Sequence, residues 1–474
     1  MGFLLSVRDR SCELQPPFDI TGDLDTPVSA FMKLGAFAPR FLLESVEGGE
    51  RLARYSFIGF GDGLELRLDA DSLRIGQERL PVPASSTGLL DALRRALRDA
   101  PRPQPDIPGV PLAGGLVGYA AYDVVRHFER LPAVAARTSG VPALHYAAPR
   151  SVLVFDHLTR GIALLHAGAE DERRALRKEV VQALRGALPN GRRAGRYAPP
   201  QQAYSHADYL QGVRRTQRYI AAGDVYQLVL ASRFSGRHQL DPFQAYRALR
   251  HINPSPYMYY CALGDVTVVG SSPEALVKLN GHRAQLRPIA GTRPRAADAA
   301  VDAAREAELL ADPKENAEHV MLVDLARNDL GRVAHAGSVR VEPYRSIERY
   351  SHVMHMVSGV QGELAAGRDA FDLFAAAFPA GTLVGAPKVR AMQIIDELEP
   401  VSRGLYGGTV GYFGARGDMD HAITIRTLVF SGDEYSYQAG AGIVADSVPQ
   451  TEYEEVLAKS AAMARALELA EAGL

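Results

Sequence analysis

Two stretches of this chain gather acids at helical spacing. One is Asp312-Pro-Lys-Glu-Asn-Ala-Glu-His319 and the other is Pro449-Gln-Thr-Glu-Tyr-Glu-Glu-Val-Leu-Ala-Lys459. Pro313 and Pro449 suit a first helical position, and apolar residues follow at helical spacing, so each stretch predicts the start of a helix. Glu315 and Glu318 are three apart and share a face. Glu452, Glu455 and Lys459 follow steps of three and four and also share one. Two such helices, remote in sequence, could offer carboxylate oxygens to one hard cation. Mg²⁺ favours such a site, with one or two protein carboxylates, several waters and an anionic substrate. The other reading is two solvated helix faces with ordinary ion pairs.

Other residues carry chemistry by type and setting. Glu274 closes Ser271-Ser-Pro-Glu274, behind the apolar run 266–269. A carboxyl there either works with a pKa raised by burial or caps a helix N-terminus. Arg426, in His421-Ala-Ile-Thr-Ile-Arg426, alternates with apolar residues as on a strand, where a guanidinium is costly unless paired. His352 and His355 are three apart, but no further metal-type ligands accompany them, which argues against zinc and leaves a core histidine as the alternative. The glycine-bearing run from Gly381 to Lys388 fails the spacing of a phosphate-binding loop. Neither Cys12 nor Cys261 sits in a glutaminase nucleophile turn.

These groups need a scaffold. The chain has 474 residues, 47% hydrophobic and 23% charged, enough for a large core. A net charge of −2 gives no electrostatic case for nucleic acid or an acidic membrane surface. No apolar run approaches a membrane span, and the N-terminus lacks a secretory pattern. Two cysteines in so long a chain read as reduced thiols, so a cytoplasmic location is expected. Tryptophan is absent, although Tyr and Phe are plentiful. Strands are expected at 64–68, 152–155, 162–165 and 225–234, and helices at 91–99, 170–188, 204–222 and 449–472. A proline-rich loop covers 101–108. The segment 186–203 is poor in apolar residues and reads as a linker between an N-terminal domain, 1–185, and a second domain, 204–474. Strand and helix patterns alternate irregularly, which predicts α+β architecture with large antiparallel sheets.

Six motifs then fall in a telling order: Pro288-Ile-Ala-Gly-Thr-Arg-Pro294, the 314–329 run, Phe378-Pro-Ala-Gly-Thr-Leu-Val-Gly-Ala-Pro-Lys388, Gly407-Gly-Thr-Val-Gly-Tyr412, Gln438-Ala-Gly-Ala-Gly-Ile-Val444 and the 452–459 segment. Together, over about 204–462, the chain resembles the chorismate-utilising enzymes. The resemblance implies two antiparallel sheets packed as a sandwich, helices outside them in a four-layer arrangement, and an active site in the cleft between. It implies Mg²⁺ held by Glu318 and Glu455, with Glu315 and Glu452 accepting from metal-bound water. Glu274 matches the general acid for the departing ring hydroxyl, and Arg426 matches the group that takes the enolpyruvyl carboxylate. Tyr406 and the backbone at Gly440 and Gly442 match further carboxylate contacts. Gly291, Thr292 and Thr382 match pocket residues, the last among the catalytic set. His355 matches the histidine of pyruvate elimination, and Lys459 pairs with the metal carboxylates or the substrate.

Two positions discriminate within the family. Water-adding members carry a lysine base where this chain has Gln227, and an amide cannot serve as a base near neutrality. Members that make the aminodeoxychorismate isomer carry lysine where this chain has Ala290. Both favour amination and then pyruvate loss to give anthranilate; formation of aminodeoxyisochorismate or aminodeoxychorismate is the enzymatic alternative. A non-catalytic amino-acid sensor is the alternative from another class, and it has no use for a general acid and a metal. Leu43-Glu-Ser45 and Asn253-Pro-Ser-Pro-Tyr-Met258 resemble the tryptophan feedback site of the anthranilate-forming branch. The expected effector contacts are Glu44, Ser45, Asn253, Pro256, Tyr257, Met258, Val410 and Tyr412. The resemblance also implies a separate glutamine amidotransferase subunit that supplies ammonia, and hence a hetero-oligomer.

Overall fold

In the computed structural model, residues 16–45, 54–132, 140–189, 195–350 and 353–474 are described. Cys12, His352 and part of the expected linker lie outside them. Two large sheets dominate, one of 12 strands and one of 11, beside a small sheet of three.

The strand Ser151–Asp156 shows why the sheets are covered on both faces. Val152 and Val154 point into a core shared with Val117, Tyr119 and Tyr412 of the other sheet. Leu153 and Phe155 point the opposite way, into a core shared with helical residues such as Phe31, Leu34 and Val180. Period-two alternation with apolar residues on both faces therefore gives helix, sheet, sheet, helix. Gly161–His166 repeats the device, with Ala163 and Leu165 inward and Ile162 and Leu164 outward. The expected strands and helices are found at Leu64–Leu68, Ser151–Asp156, Gly161–His166, Gln227–Arg237, Ser86–Asp99, Glu170–Arg185, His206–Ala221 and Pro449–Ala472.

Both halves of the chain build both large sheets. In the 12-stranded sheet, Phe41–Glu44 pairs with Tyr257–Leu263, placing Glu44 opposite Met258. In the 11-stranded sheet, Gly115–Ala120 pairs with Thr409–Gly414. The boundary expected at 186–203 thus divides the sequence while the sheets run across it.

Two crossings between the sheets carry polar side chains to a common place. Val266–Ser272 belongs to the first sheet and Ala275–Asn280 to the second, with Pro273 and Glu274 between them. Met419–Ile423 belongs to the second and Thr427–Ser431 to the first, with Thr424–Arg426 between them. Arg426 is therefore not on a strand, as the alternation predicted, but at a bend with φ of 49°. Glu274 begins no helix. The crossings lie side by side: Ile423 N–H donates to Glu274 O at 3.0 Å, and Ser271 N–H donates to Arg426 O at 3.1 Å.

The small sheet joins Ile289–Pro294, Val353–Val357 and Ser346–Arg349. Leu309 of the helix Ala299–Ala311 packs with Met354 and Met356 beneath it. No helix among the described residues is long and apolar enough to cross a membrane.

Candidate active site

A cavity of about 370 Å³ opens where the two crossings, the strand Glu434–Ile443 and the two acid-bearing helices converge. The helix Pro313–Gly331 starts at the proline its sequence predicts, and Asp312 caps it, accepting from the backbone N–H of Lys314 and Glu315. Its inner face buries Leu322, Val323, Ala326 and Leu330 and turns Glu318 to the cavity. The helix Pro449–Ala472 buries Val456 and Met463 and brings Glu452, Glu455 and Lys459 to the same cavity.

Glu318 accepts from Gln227 Nε2 at 3.4 Å, and burial pushes its carboxyl up against that stabilising contact. Burial also raises Glu452, opposed by a hydrogen bond with Ser447. Lys459 pairs with Glu455 at 2.6 Å and donates to Gly440 O at 3.2 Å. Glu315 is placed differently: it meets Arg293 of the small sheet at 3.1 Å and does not line the cavity.

Glu274 stands on its crossing at the inner end. It keeps an exposed edge toward the cavity, yet protein crowds it so closely that burial raises its carboxyl from 4.5 to about 7. Thr382 Oγ1 donates to Glu274 Oε1 at 2.9 Å, and together with the more distant charge of Lys459 opposes that rise. A carboxyl raised this way keeps its proton far closer to neutral pH than an exposed one, as a general acid requires.

Arg426, Tyr406, Gly440 and Gly442 line the cavity too. Beyond Tyr437 the strand Glu434–Ile443 keeps its partner Gln227–Arg237 but has lost Thr427–Ser431, so one edge faces the cavity. A side chain at Gly440 would meet Tyr406 Oη at 2.8 Å, and one at Gly442 would meet Gln227 Nε2 at 2.6 Å. Glycine here lets the main chain form the wall.

Arg403 was not anticipated from the sequence. It is buried, with Glu399 Oε1 at 2.6 Å and Val229 O at 2.9 Å, and its guanidinium lies 5.5 Å from the Tyr406 ring centre. A fully paired buried arginine fixes the tyrosine and the strand behind it. Local spacing shows only the four-residue step from Glu399; its contacts with Leu383, Val229 and the Tyr122 ring come from more distant segments.

Gly291, Thr292 and His355 lie together on the small sheet and outside the cavity lining. His355 Nδ1 is 3.0 Å from Thr292 Oγ1 and 3.2 Å from Gly291 O. Ile289, at the start of that sheet, does line the cavity.

A second cavity, of about 200 Å³, lies between the large sheets and contains seven of the eight expected effector contacts: Glu44, Ser45, Pro256, Tyr257, Met258, Val410 and Tyr412. Ser45 Oγ is buried there without a hydrogen-bond partner. The Glu44 carboxylate accepts from Tyr246 Oη and from Arg250 Nε at 3.1 Å. Asn253 is the exception: it does not line this cavity but reaches toward the first, where its Oδ1 accepts from Arg426 Nη1 at 3.4 Å.

Comparison with known proteins places the whole chain in one family. Residues 38–465 match the family described as chorismate binding enzyme. Component 1 of anthranilate synthase from Thermus thermophilus is 48% identical, over 95% of this chain and 97% of its own. The Pseudomonas aeruginosa protein of that name is 44% identical, over 99% and 98%. The crystal structure of anthranilate synthase component I from Streptococcus pneumoniae superposes with a TM-score of 0.78 at 33% identity, covering 94% of this chain and 98% of that one. By the extent of these matches, this chain belongs to the chorismate-binding enzyme family, in the branch of anthranilate synthase component 1.

Proposed function

We propose that this chain converts chorismate and ammonia to anthranilate and pyruvate in the larger cavity, the aminating reaction of tryptophan biosynthesis. The observation that carries the residue assignment is Glu274, held near pKa 7 beside Arg426 at the junction of the sheets. Arg426 takes the enolpyruvyl carboxylate, where a planar guanidinium suits a bidentate contact. Tyr406 and the free edge at Gly440 and Gly442 complete the anion pocket. Glu274 gives its proton to the departing ring hydroxyl, which leaves as water while the C–N bond forms. Gln227 stands where a base would be needed for water but not for ammonia.

Glu318 and Glu455, with Glu452 nearby, fit Mg²⁺. They are hard oxygen donors on two helices, and the raised Glu318 and Glu452 carboxyls lack enough positive charge close by. Among the described residues no group of three or more His, Cys, Asp or Glu is placed to hold a metal ion by itself. An ion held here by two carboxylates would take its remaining ligands from water and substrate. Bound there, Mg²⁺ would clamp the ring carboxylate and neutralise charge beside the reacting carbon. We assign His355 to pyruvate loss, which requires the small sheet to lie over the cavity mouth. We assign the second cavity to tryptophan and the ammonia supply to an amidotransferase subunit.

The test is product identity. Purified chain with chorismate, Mg²⁺ and ammonium should release anthranilate, seen by fluorescence and mass, and should be inert with glutamine alone. An aminated, non-aromatic product from the intact chain would overturn the reaction as stated.

A further inference from the structure

Arg403 does not line the larger cavity, yet four residues that do line it, Val229, Leu383, Tyr406 and Gln438, all meet it. Its side chain is almost wholly buried, as is that of Glu399, just beyond the helix Lys388–Leu398. Arg403 Nε and Nη2 donate to the two Glu399 carboxylate oxygens at 2.9 and 2.6 Å. Glu399 Oε1 also accepts from Ala231 N–H at 3.0 Å. Nη2 donates to Val229 O at 2.9 Å and Nη1 to Leu383 O at 2.6 Å. Val229 N–H in turn donates to Val384 O at 2.9 Å, so the strand Gln227–Arg237 is tied to the turn Gly381–Leu383 both directly and through Arg403. Thr382, in the middle of that turn, is the residue that donates to Glu274. The Arg403 carbonyl accepts from Gln438 Nε2 at 2.6 Å, and the guanidinium lies 5.0 Å from the Tyr122 ring centre and 5.5 Å from that of Tyr406. As a source of stability, a buried ion pair offers little over an apolar pair of equal volume. What a guanidinium adds is direction: its planar fork holds a carboxylate and two carbonyls at once, which an ammonium cannot.

We propose that Arg403, set by Glu399, is a positioning residue for the amination of chorismate: it holds in one frame the turn that presents Thr382 to Glu274 and the Tyr406 side of the anion pocket. The proposal rests on the reaction assigned above to the larger cavity. Neither Arg403 nor Glu399 lines that cavity. Arg403 acts through Leu383, which fixes the neighbouring Thr382 and with it the Glu274 carboxyl, and through Val229 and Tyr406, which wall the cavity. Loss of the fork lets the general acid and the anion pocket shift against each other. A misplacement of reacting groups by about 1 Å costs on the order of 100-fold in rate.

The experiment separates placement from stability. Arg403→Lys keeps a cation beside Glu399 but lacks the fork. Arg403→Met strands the Glu399 carboxylate, and Glu399→Gln/Arg403→Met leaves no charge stranded. All are compared with the full-length wild-type chain, using chorismate, Mg²⁺ and ammonium. The double variant should recover most of the thermal midpoint lost by Arg403→Met, since neutral partners avoid the cost of an unpaired buried ion. Its kcat should nevertheless stay roughly 10- to 100-fold below wild type, with a smaller, roughly threefold rise in KM for chorismate. Arg403→Lys should show the same pattern. A double variant that regains wild-type kcat along with its midpoint overturns the proposal, because packing alone then suffices. Wild-type kcat in Arg403→Lys overturns it as well. A raised KM with unchanged kcat in both overturns the link to Glu274. If the double variant does not fold, Arg403→Lys decides by the same two constants. A wild-type chain that makes no anthranilate would instead remove the reaction, and calorimetry of chorismate then decides the wall role. Binding roughly threefold weaker in Arg403→Lys supports it, and unchanged binding overturns it.

Discussion

Glu274 is the side chain on which the proposed chemistry turns. Its carboxyl is raised by burial, so between pH 4.5 and about 7 the folded chain binds a proton there that the unfolded chain has released. Stability therefore falls as pH rises through that window, and the penalty is fully present above it. Glu274→Gln should abolish turnover by at least about 100-fold. It should nevertheless raise the thermal midpoint at pH 8 while changing it little at pH 4.5. Scanning calorimetry at the two values checks this, and a lower midpoint at pH 8 would contradict the burial argument. Thr382 stabilises the charged form, so Thr382→Val should move the alkaline limb of the rate profile to higher pH, once rates are corrected for free ammonia. Glu318 offers a test free of activity. Mg²⁺ should raise the thermal midpoint of the wild-type chain, and Glu318→Gln should lose most of that rise, because an amide keeps an oxygen but not the charge a hard cation needs.

The acid helices must be held in place as firmly as their side chains. Asp329 near the end of the helix Pro313–Gly331 meets Lys388 at the start of the helix Lys388–Leu398, with Nζ 2.7 Å from Oδ2. Burial raises the Asp329 carboxyl even against that lysine, so the pair is sheltered from solvent. Lys388→Met should strand a buried charge and lower stability by about 3 kcal/mol. The double variant Asp329→Asn/Lys388→Met should recover most of the loss, since neutral partners leave no uncompensated ion. Denaturant titration of the three chains measures both quantities. A single variant as stable as wild type would show that the helices are held by apolar packing alone.

Across the molecule, two cavities share one pair of sheets, and Ile289 lines both. Tryptophan in the second cavity should inhibit from a site distinct from that of chorismate. Ser45 Oγ is buried there with no partner, which an amino-acid head group would supply. Ser45→Ala should raise the inhibitory concentration several-fold, as expected for one hydrogen bond of about 1 kcal/mol, and spare uninhibited turnover. Inhibition purely competitive in kinetics but unchanged by Ser45→Ala would place tryptophan in the larger cavity instead.

Local sequence carried far in this protein because much of its chemistry is stated locally. Spacings of three and four put Glu452, Glu455 and Lys459 on one helix face, and Pro313 announced the start of the other helix. The family resemblance pointed to the backbone at Gly440 and Gly442, and the apolar runs at 152–155 and 162–165 marked strands. None of these needed a distant partner to be recognised. How such pieces meet is settled only in the folded chain. A strand with apolar residues on both faces does not name its neighbour, so nothing local said that Phe41–Glu44 would pair with Tyr257–Leu263 and thread both halves into common sheets. Alternation around Arg426 suggested a strand, whereas the change of sheet at Thr424–Arg426 makes a bend. Asn253 sits within three residues of an effector-site wall, yet its side chain crosses to the other cavity. Arg403 stands four residues after Glu399, but that step alone does not announce its contacts with Leu383, Val229 and Tyr122. In each case the deciding interaction joins residues tens to hundreds of positions apart, and tertiary structure alone brings them within hydrogen-bonding distance.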